Sequence, residues 1–248
     1  MEAAPCISHI AGLLAEPKRT AMLWALMDGS AKSSEELAAL AGLSLASATA
    51  HLTRLTGGGL LRIESRRGQR LFRVAAPDVS AAIDALASTT MASAARCCPD
   101  DASPAALIAP LMLRQARLCH GHLGGELAAG LYQRMLAAGW IERHEQRTDV
   151  TPKGAQHLAG LGIYTQALAS PVVCDCFDWS QQLPHLGGTL GAGLLQLFLQ
   201  SNWVSLIKES QALQVNDSGA AEINRLAASE HPWPRGRRSE FQSGRIQQ

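Results

Sequence analysis

Two spacings of apolar residues alternate along this chain, and the first hundred residues show both. A three-to-four-residue spacing through Ile7–Leu14 and Arg19–Met27 predicts two helices, parted at Pro17, with Glu16 held extended by the proline after it. Gly29-Ser30 closes the second. Ser34–Ala41 is a short amphipathic helix that Gly42 breaks. Ser44 then caps a further helix, Leu45 to Leu55, whose buried side is Ala48, Leu52 and Leu55. After Gly57-Gly58-Gly59 come the short strand Leu60–Glu64, a turn at Ser65–Gly68 and the strand Gln69–Val74, a hairpin. Pro77-Asp78 opens a long helix to about Arg96, with Val79, Ile83, Leu86 and Met91 near one face. Cys97 to Pro104, with two prolines and paired acids, reads as a linker. A helical stretch restarts at Ala105 and runs, kinked near Pro110, to about His120.

Two helices around a tight glycine turn, followed by a hairpin, form a winged helix-turn-helix. In that motif the second helix lies in the major groove of DNA. Charge supports this locally. The whole chain carries +1, whereas Arg54 to Arg73 holds six arginines against the single acid Glu64, a local +5. Phosphate neutralisation depends on the local cluster, not the total. The candidate DNA contacts are Ser44, Ser47, Thr49, Ala50, His51 and Arg54 on the second helix, and Arg66, Arg67 and Arg70 in the wing. Short side chains permit close approach and arginines hold phosphate. His51 has a second reading as a packed helix residue. A long helix after a wing commonly packs against its twin, which makes a homodimer the expected assembly.

The second half of the chain repeats itself. His122–Trp140 and His185–Trp203 are identical at 11 of 19 positions, without a gap, at an offset of 63. Both open on His-Leu-Gly-Gly. Gly139 and Asn202 tolerate the left-handed backbone that ends a helix, and a tryptophan follows each. Thr151 and Asn216 are both N-cap types, and Pro152 suits a first helical position. Each copy therefore reads as helix, strand, strand, helix, like a truncated winged helix, with a seam between copies as a place for a ligand. Neither copy carries an arginine-rich wing, so this half is a sensory or structural unit.

The expected fold class is α+β, mainly α with small β-hairpins. The expected divisions are residues 1–96 for DNA binding and dimerisation, a linker at 97–104, a duplicated sensing unit at 105–229 (copies about 105–168 and 169–229) and a disordered basic tail at 230–248. Leu183–Leu199, the most apolar long stretch, holds a proline, a histidine and four glycines, so no membrane span is expected. The N-terminus lacks a basic and apolar leader, and six cysteines in 248 residues do not make a disulfide scaffold, so the cytoplasm is the expected compartment. Those thiols are then free for chemistry. Cys119 and His122, three apart, would share a face of a helix; Cys174 and Cys176 would pinch a thiophilic ion; Asp178 and Trp179 would line a cavity; and His185 matches His122 across the repeat. Cys119, His122, Cys176 and His185 together have the ligand types of a zinc or thiophilic-metal site, although their spacing follows no known zinc pattern. Cys97-Cys98 is a further adjacent pair. Metal or thiol sensing, an organic effector at the seam, and no small effector all stay open, since cysteine is also an ordinary small core residue. A Cys–His enzyme lacks any nucleophile elbow, phosphate loop or dinucleotide fingerprint, so no enzyme is expected. An architectural or protein-binding winged helix is the other alternative.

The order of these pieces resembles the ArsR-type bacterial transcriptional regulators. The resemblance is carried by Ile10–Arg19, Ala21–Gly29, Glu35-Glu-Leu-Ala, Ser47–Leu52 and Gly59-Leu-Leu61, and covers about residues 7–90. The remainder is similar to a longer subgroup, through Arg-x-Cys-x-x-His-Leu at Arg117–Leu123, Cys-x-Asp-Trp-Ser at Cys176–Ser180, and Pro184–Leu186. What the resemblance implies is a dimeric repressor that binds an operator palindrome and releases it on sensing a signal. The family's best-known sensing site is a Cys-x-Cys pair in the helix before the recognition helix. Ala38-Ala39-Leu40 stand there in this chain, and Gln181-Gln182 replace more basic residues.

Overall fold

The computed structural model describes residues 7–97, 109–144 and 147–228; the side chains of residues 90–97 lie outside that description. The Cys97-Cys98 pair, the linker and the tail expected from 230 therefore fall outside the described residues.

The amino-terminal elements are α1 (Ile7–Leu14), α2 (Pro17–Trp24), α3 (Ser34–Ala41), α4 (Leu45–Gly57), β1 (Leu61–Arg66), β2 (Gln69–Val74) and α5 (Pro77–Cys97). Local chemistry sets their ends. Glu16 is extended (φ −89°, ψ 116°), as the following proline requires, and caps α2. Ser33 and Glu36 form a reciprocal capping box at the start of α3. Gly42 ends that helix at φ 62°, and Ser44 Oγ accepts from the Ser47 N–H to start α4. β1 and β2 pair antiparallel from Leu61↔Val74 to Arg66↔Gln69. They turn through Arg67-Gly68, both at positive φ (52° and 79°), as a two-residue hairpin loop demands. Ala48, Leu52 and Leu55 of α4 are fully buried against Met22, Leu26, Leu37 and Phe72.

Helix α5 differs from its apolar pattern. Its buried face is Ser80, Ile83, Asp84 and Ser88, while Leu86 is 53% exposed. The face is turned by Asp84, whose carboxylate is held by Arg117 and Trp179 from the second half of the chain. A buried carboxylate with two donors fixes the helix rotation more firmly than one leucine can.

The second half begins with α6 (Leu111–Gln115) and then departs from expectation. The helix expected to reach His120 ends at Gln115. Ala116 is already extended (φ −154°, ψ 132°), and β3 (Arg117–Cys119) and β4 (His122–Gly124) form a tight hairpin. Its loop is His120-Gly121, both at positive φ (48° and 85°). Cys119 and His122 are thus cross-strand partners, not neighbours on a helix. Then follow α7 (Glu126–Ala137), β5 (Ile141–His144), β6 (Arg147–Val150) and α8 (Pro152–Gly160). The second copy runs β7 (Cys174–Asp178), β8 (Leu183–Gly187), α9 (Gly188–Gln200), β9 (Val204–Leu206), β10 (Leu213–Val215) and α10 (Asp217–Arg225). Each copy is therefore hairpin, helix, hairpin, helix. His122 and His185 stand on the second strand of the first hairpin and do not open a helix. The shared details are borne out elsewhere. Thr151 and Asn216 accept from Gly154 N and Gly219 N at 2.9 and 2.7 Å, and Gly139 and Asn202 both take positive φ.

The copies exchange partners. α7 packs on β8 and α9 packs on β4, so each long helix covers the other copy's hairpin. The glycines of the Leu-Gly-Gly repeat sit in tight places: a Cβ on Gly124 would meet Cys119 Cβ of its own hairpin at 2.9 Å, and one on Gly187 would meet the Cys174 carbonyl oxygen of its own hairpin at 3.0 Å and His122 Cε1 of the other copy at 3.2 Å. At the centre of the seam Leu123, Leu131, Leu186, Leu194 and Phe198 leave a void of only about 10 Å³. Nearer the surface a cleft of about 460 Å³ runs between the copies, lined by Glu126, Gly130 and Arg134 of the first and Leu213, Ala220 and Asn224 of the second.

The two halves also join. Ala109, Leu113, Trp179 and Ala212 are buried in the amino-terminal core, with the Trp24 and Trp179 rings 4.4 Å apart. Glu209 receives Arg62 and Arg73 at 2.7 Å each.

Candidate functional site

The outer face of α4 presents Ser44, Ser47, Thr49, Ala50 and Arg54 to solvent. Ser44 and Ser47 share a hydroxyl contact of 3.0 Å at the helix start, and Thr49 Oγ1 donates to the Leu45 carbonyl at 2.8 Å. His51 is half-buried, and its Nδ1 is shielded without a hydrogen-bond partner. Arg66, Arg67 and Arg70 are exposed on the wing, Arg70 lying 5.6 Å above the Phe72 ring. The six arginines do not act together. Arg62 and Arg73 turn inward to Glu209, and Arg62 also donates to the Ala75 carbonyl. Arg62 and then Arg73 hold the Glu209 carboxyl below its ordinary range. Arg54, Arg67 and Arg70 remain as outward positive charge, together with Arg66, which is exposed but also donates to the Glu64 carboxylate at 3.2 Å.

A second constellation lies where the first hairpins of the two copies meet. Cys119 faces His122 across β3–β4, and Cys176 faces His185 across β7–β8. The Cys119 and Cys176 sulfurs are 3.7 Å apart, and the His122 and His185 Nε2 atoms 3.1 Å apart. All four ligand atoms lie within 4.8 Å of one another; Cys119, His122 and His185 are buried and Cys176 is half-buried. The Cys119 thiol is pushed up to about 12, by its hydrogen bond with Cys176 and then by burial, while the same bond lowers Cys176. Cys174, two residues before Cys176 on β7, is exposed and is not one of the four.

Beside the cluster sits a buried ionic group. Arg117, wholly inaccessible, pairs with Asp84 on α5 (2.7 Å) and Asp178 on β7 (2.9 Å), with its guanidinium 4.3 Å over the Trp179 ring. Trp179 Nε1 donates to Asp84 at 2.7 Å. Burial raises the Asp178 carboxyl, but Arg117, the Ser180 hydroxyl, His185 and the Gly125 N–H offset it, leaving it below the ordinary carboxylate range. Asp178 and Trp179 are thus fully buried and brace the fold. Arg117 and Asp84 were not singled out from sequence. The signals were a lone acid in the apolar run Val79–Ala87 and the alternation that puts Arg117 on the same strand face as Cys119.

No family model matches the chain. Over 218 residues it is 27% identical to an uncharacterized HTH-type transcriptional regulator, YdfF, of Bacillus subtilis (strain 168), a match spanning 87% of this chain and 94% of that protein. The similarity thus runs through the duplicated half as well as the helix-turn-helix. The chain is a transcriptional regulator of the winged helix-turn-helix type. Two similar solved structures each cover about a third of the chain. One is the homodimeric winged helix-turn-helix DNA-binding domain of a possible ArsR-family regulator from Mycobacterium bovis (24% identity, 36% of this chain and 79% of that one, TM-score 0.32). Another is reduced HlyU from Vibrio cholerae (24% identity, 32% and 82%, TM-score 0.30).

Proposed function

We propose that this regulator is a homodimeric, cytoplasmic repressor that reads duplex DNA with α4 and the β1–β2 wing and releases its operator when the duplicated half senses an effector. The observation that carries the reading is the outward set of Arg54, Arg66, Arg67 and Arg70 beside an α4 face of short side chains, Ser44, Ser47, Thr49 and Ala50. The short side chains suit close approach to base edges, and the arginines suit flanking phosphate or a narrow minor groove. Exposed Ile7 on α1 is apolar surface suited to pairing with a second copy. Fluorescence anisotropy with a labelled fragment of the regulator's own promoter tests this. Binding that saturates at one dimer per site and weakens steeply with salt supports it; equal affinity for any duplex, or none, refutes an operator.

A further inference from the structure

The four side chains at the crossing of the two copies have the dimensions of a metal site. A tetrahedral zinc ion with Zn–S of about 2.3 Å and Zn–N of about 2.0–2.1 Å places its two sulfurs about 3.8 Å apart and its two nitrogens about 3.3–3.4 Å apart. The sulfurs here are 3.7 Å apart and the nitrogens 3.1 Å. Each hairpin supplies one thiol and one imidazole from directly opposed positions, so two facing hairpins complete the tetrahedron. The ligand types exclude magnesium and calcium, which require oxygen. Two thiolates and two neutral imidazoles around a divalent ion are electroneutral, so the loaded site adds no net charge to the interior.

We propose that Cys119, His122, Cys176 and His185 bind one divalent ion of the zinc class in a closed site, and that the ion's occupancy sets the position of α5 through Arg117 and Asp84. The second half rests on the DNA-binding reading; the first does not. The connection is short. Arg117 is two residues before Cys119, and Asp178 two residues after Cys176, each on the same strand face as its cysteine. Asp84 is close enough to Cys119 and His120 that their polar atoms also fall within 4.8 Å of one another. The ligand atoms already sit near the spacing of a loaded site, so it is loss of the ion that frees the two hairpins to part and shifts the strands that hold Asp84, and α5 leads directly from the wing. Binding is accompanied by loss of a proton from each thiol to solvent, with no change of oxidation state.

The test uses the full chain, stripped with a chelator under reducing conditions and titrated with cobalt(II) as a spectroscopic stand-in for zinc. The expected result is tetrahedral d–d bands and a thiolate charge-transfer band that saturate at one ion per chain, are displaced by zinc, and are lost in Cys176→Ser. Because that variant can fail by misfolding, alkylation of the native thiols is measured in parallel. Zinc is expected to protect Cys119 and Cys176 and to leave exposed Cys174 reactive. The metal half is overturned if reduced protein shows no such bands, if Cys176→Ser retains them, or if the freshly purified chain holds a Cys119–Cys176 disulfide and ignores metal once reduced. For the regulatory half, operator affinity is measured with and without zinc. Asp84→Asn is expected to keep the cobalt bands and lose the zinc-dependent change in affinity. A change that persists in Asp84→Asn, or none in the native chain that still binds both ligands, overturns the relay. Failure of DNA binding with intact cobalt bands refutes the operator reading alone.

Discussion

Replacing Arg117 with methionine tests the ionic group that joins the two halves. The guanidinium and both carboxylates are removed from water, with side-chain exposures of 0%, 3% and 0% for Arg117, Asp84 and Asp178. Methionine is close in length and fills the space, so packing over Trp179 is largely kept, but two buried carboxylates lose their counter-charge. Breaking a buried pair from one side costs about 3–5 kcal/mol. At about 2–4 °C per kcal/mol for a chain of this size, Tm at neutral pH is expected to fall by about 6–20 °C. The pH dependence separates charge from shape. In the native chain the Asp178 carboxyl is held below its ordinary value, so its contribution is fully present above the unfolded pKa near 4 and is lost as pH falls through the lower folded value. In Arg117→Met, burial acts unopposed by the guanidinium and the carboxyl rises, so the variant binds protons on folding and its deficit narrows as the solution is acidified from neutral. Differential scanning calorimetry from neutral pH to about pH 4 reads both. Adding Asp84→Asn and Asp178→Asn to Arg117→Met removes the orphaned charges and should recover part of the loss. A Tm within about 2 °C of native at neutral pH, or a deficit that does not depend on pH, would refute the buried-charge account.

Three further outcomes follow from the same geometry. Changing Arg66, Arg67 and Arg70 together to alanine should lower operator affinity and, if each holds one phosphate in both protomers of the dimer, reduce the slope of log affinity against log salt by about 5; an unchanged slope removes the wing from the interface. Gly191→Ala puts a methyl group 2.2 Å from the Leu186 carbonyl oxygen and 3.1 Å from His122 Cβ. Overpacking of about 1–3 kcal/mol should lower Tm by about 2–12 °C, and a native Tm would mean that α9 and β8 are not in this contact. Glu209→Gln should lower Tm at neutral pH, with the difference vanishing as pH falls through the depressed native pKa, because the native carboxylate then loses its pairs as well. Persistence of that difference in strong acid would argue against the Arg62–Glu209–Arg73 bridge.

Where a pattern was local, the chain stated it plainly. The α3–turn–α4 unit follows from Ser34–Leu55 alone because caps, a breaker and a three-to-four spacing all act within a few residues. The copy in the second half was equally legible, since its helix ends rest on Gly139, Asn202, Thr151 and Asn216. The hairpin at Cys119–His122 was not. Its strands are three residues each, too short for alternation to outweigh helical spacing, and only His120-Gly121 marked the turn. The four-ligand arrangement was legible in its members but not in its geometry. The histidines recur at an offset of 63 and the cysteines at 57, because the second hairpin has the longer loop, so a gapless repeat aligns one pair and misses the other. The roles of Asp84 and Glu209 were illegible, since their arginine partners lie 33 and about 140 residues away in sequence.

Among the described residues, two ionic connections between the halves differ in kind, and they are joined by the apolar packing of Trp179 on Trp24. Glu209 meets Arg62 and Arg73 at the base of the wing in contact with water, where pairing is weak and salt screens it. Asp84 meets Arg117 in the interior, where separating the charges strands them without solvent. Under the proposed relay the duplicated half would therefore yield first at Glu209 and stay fixed at Asp84, where the Trp24–Trp179 contact also holds it. The strong joint lies beside the cysteines and histidines and the weak joint lies beside the wing, the arrangement that such a relay requires.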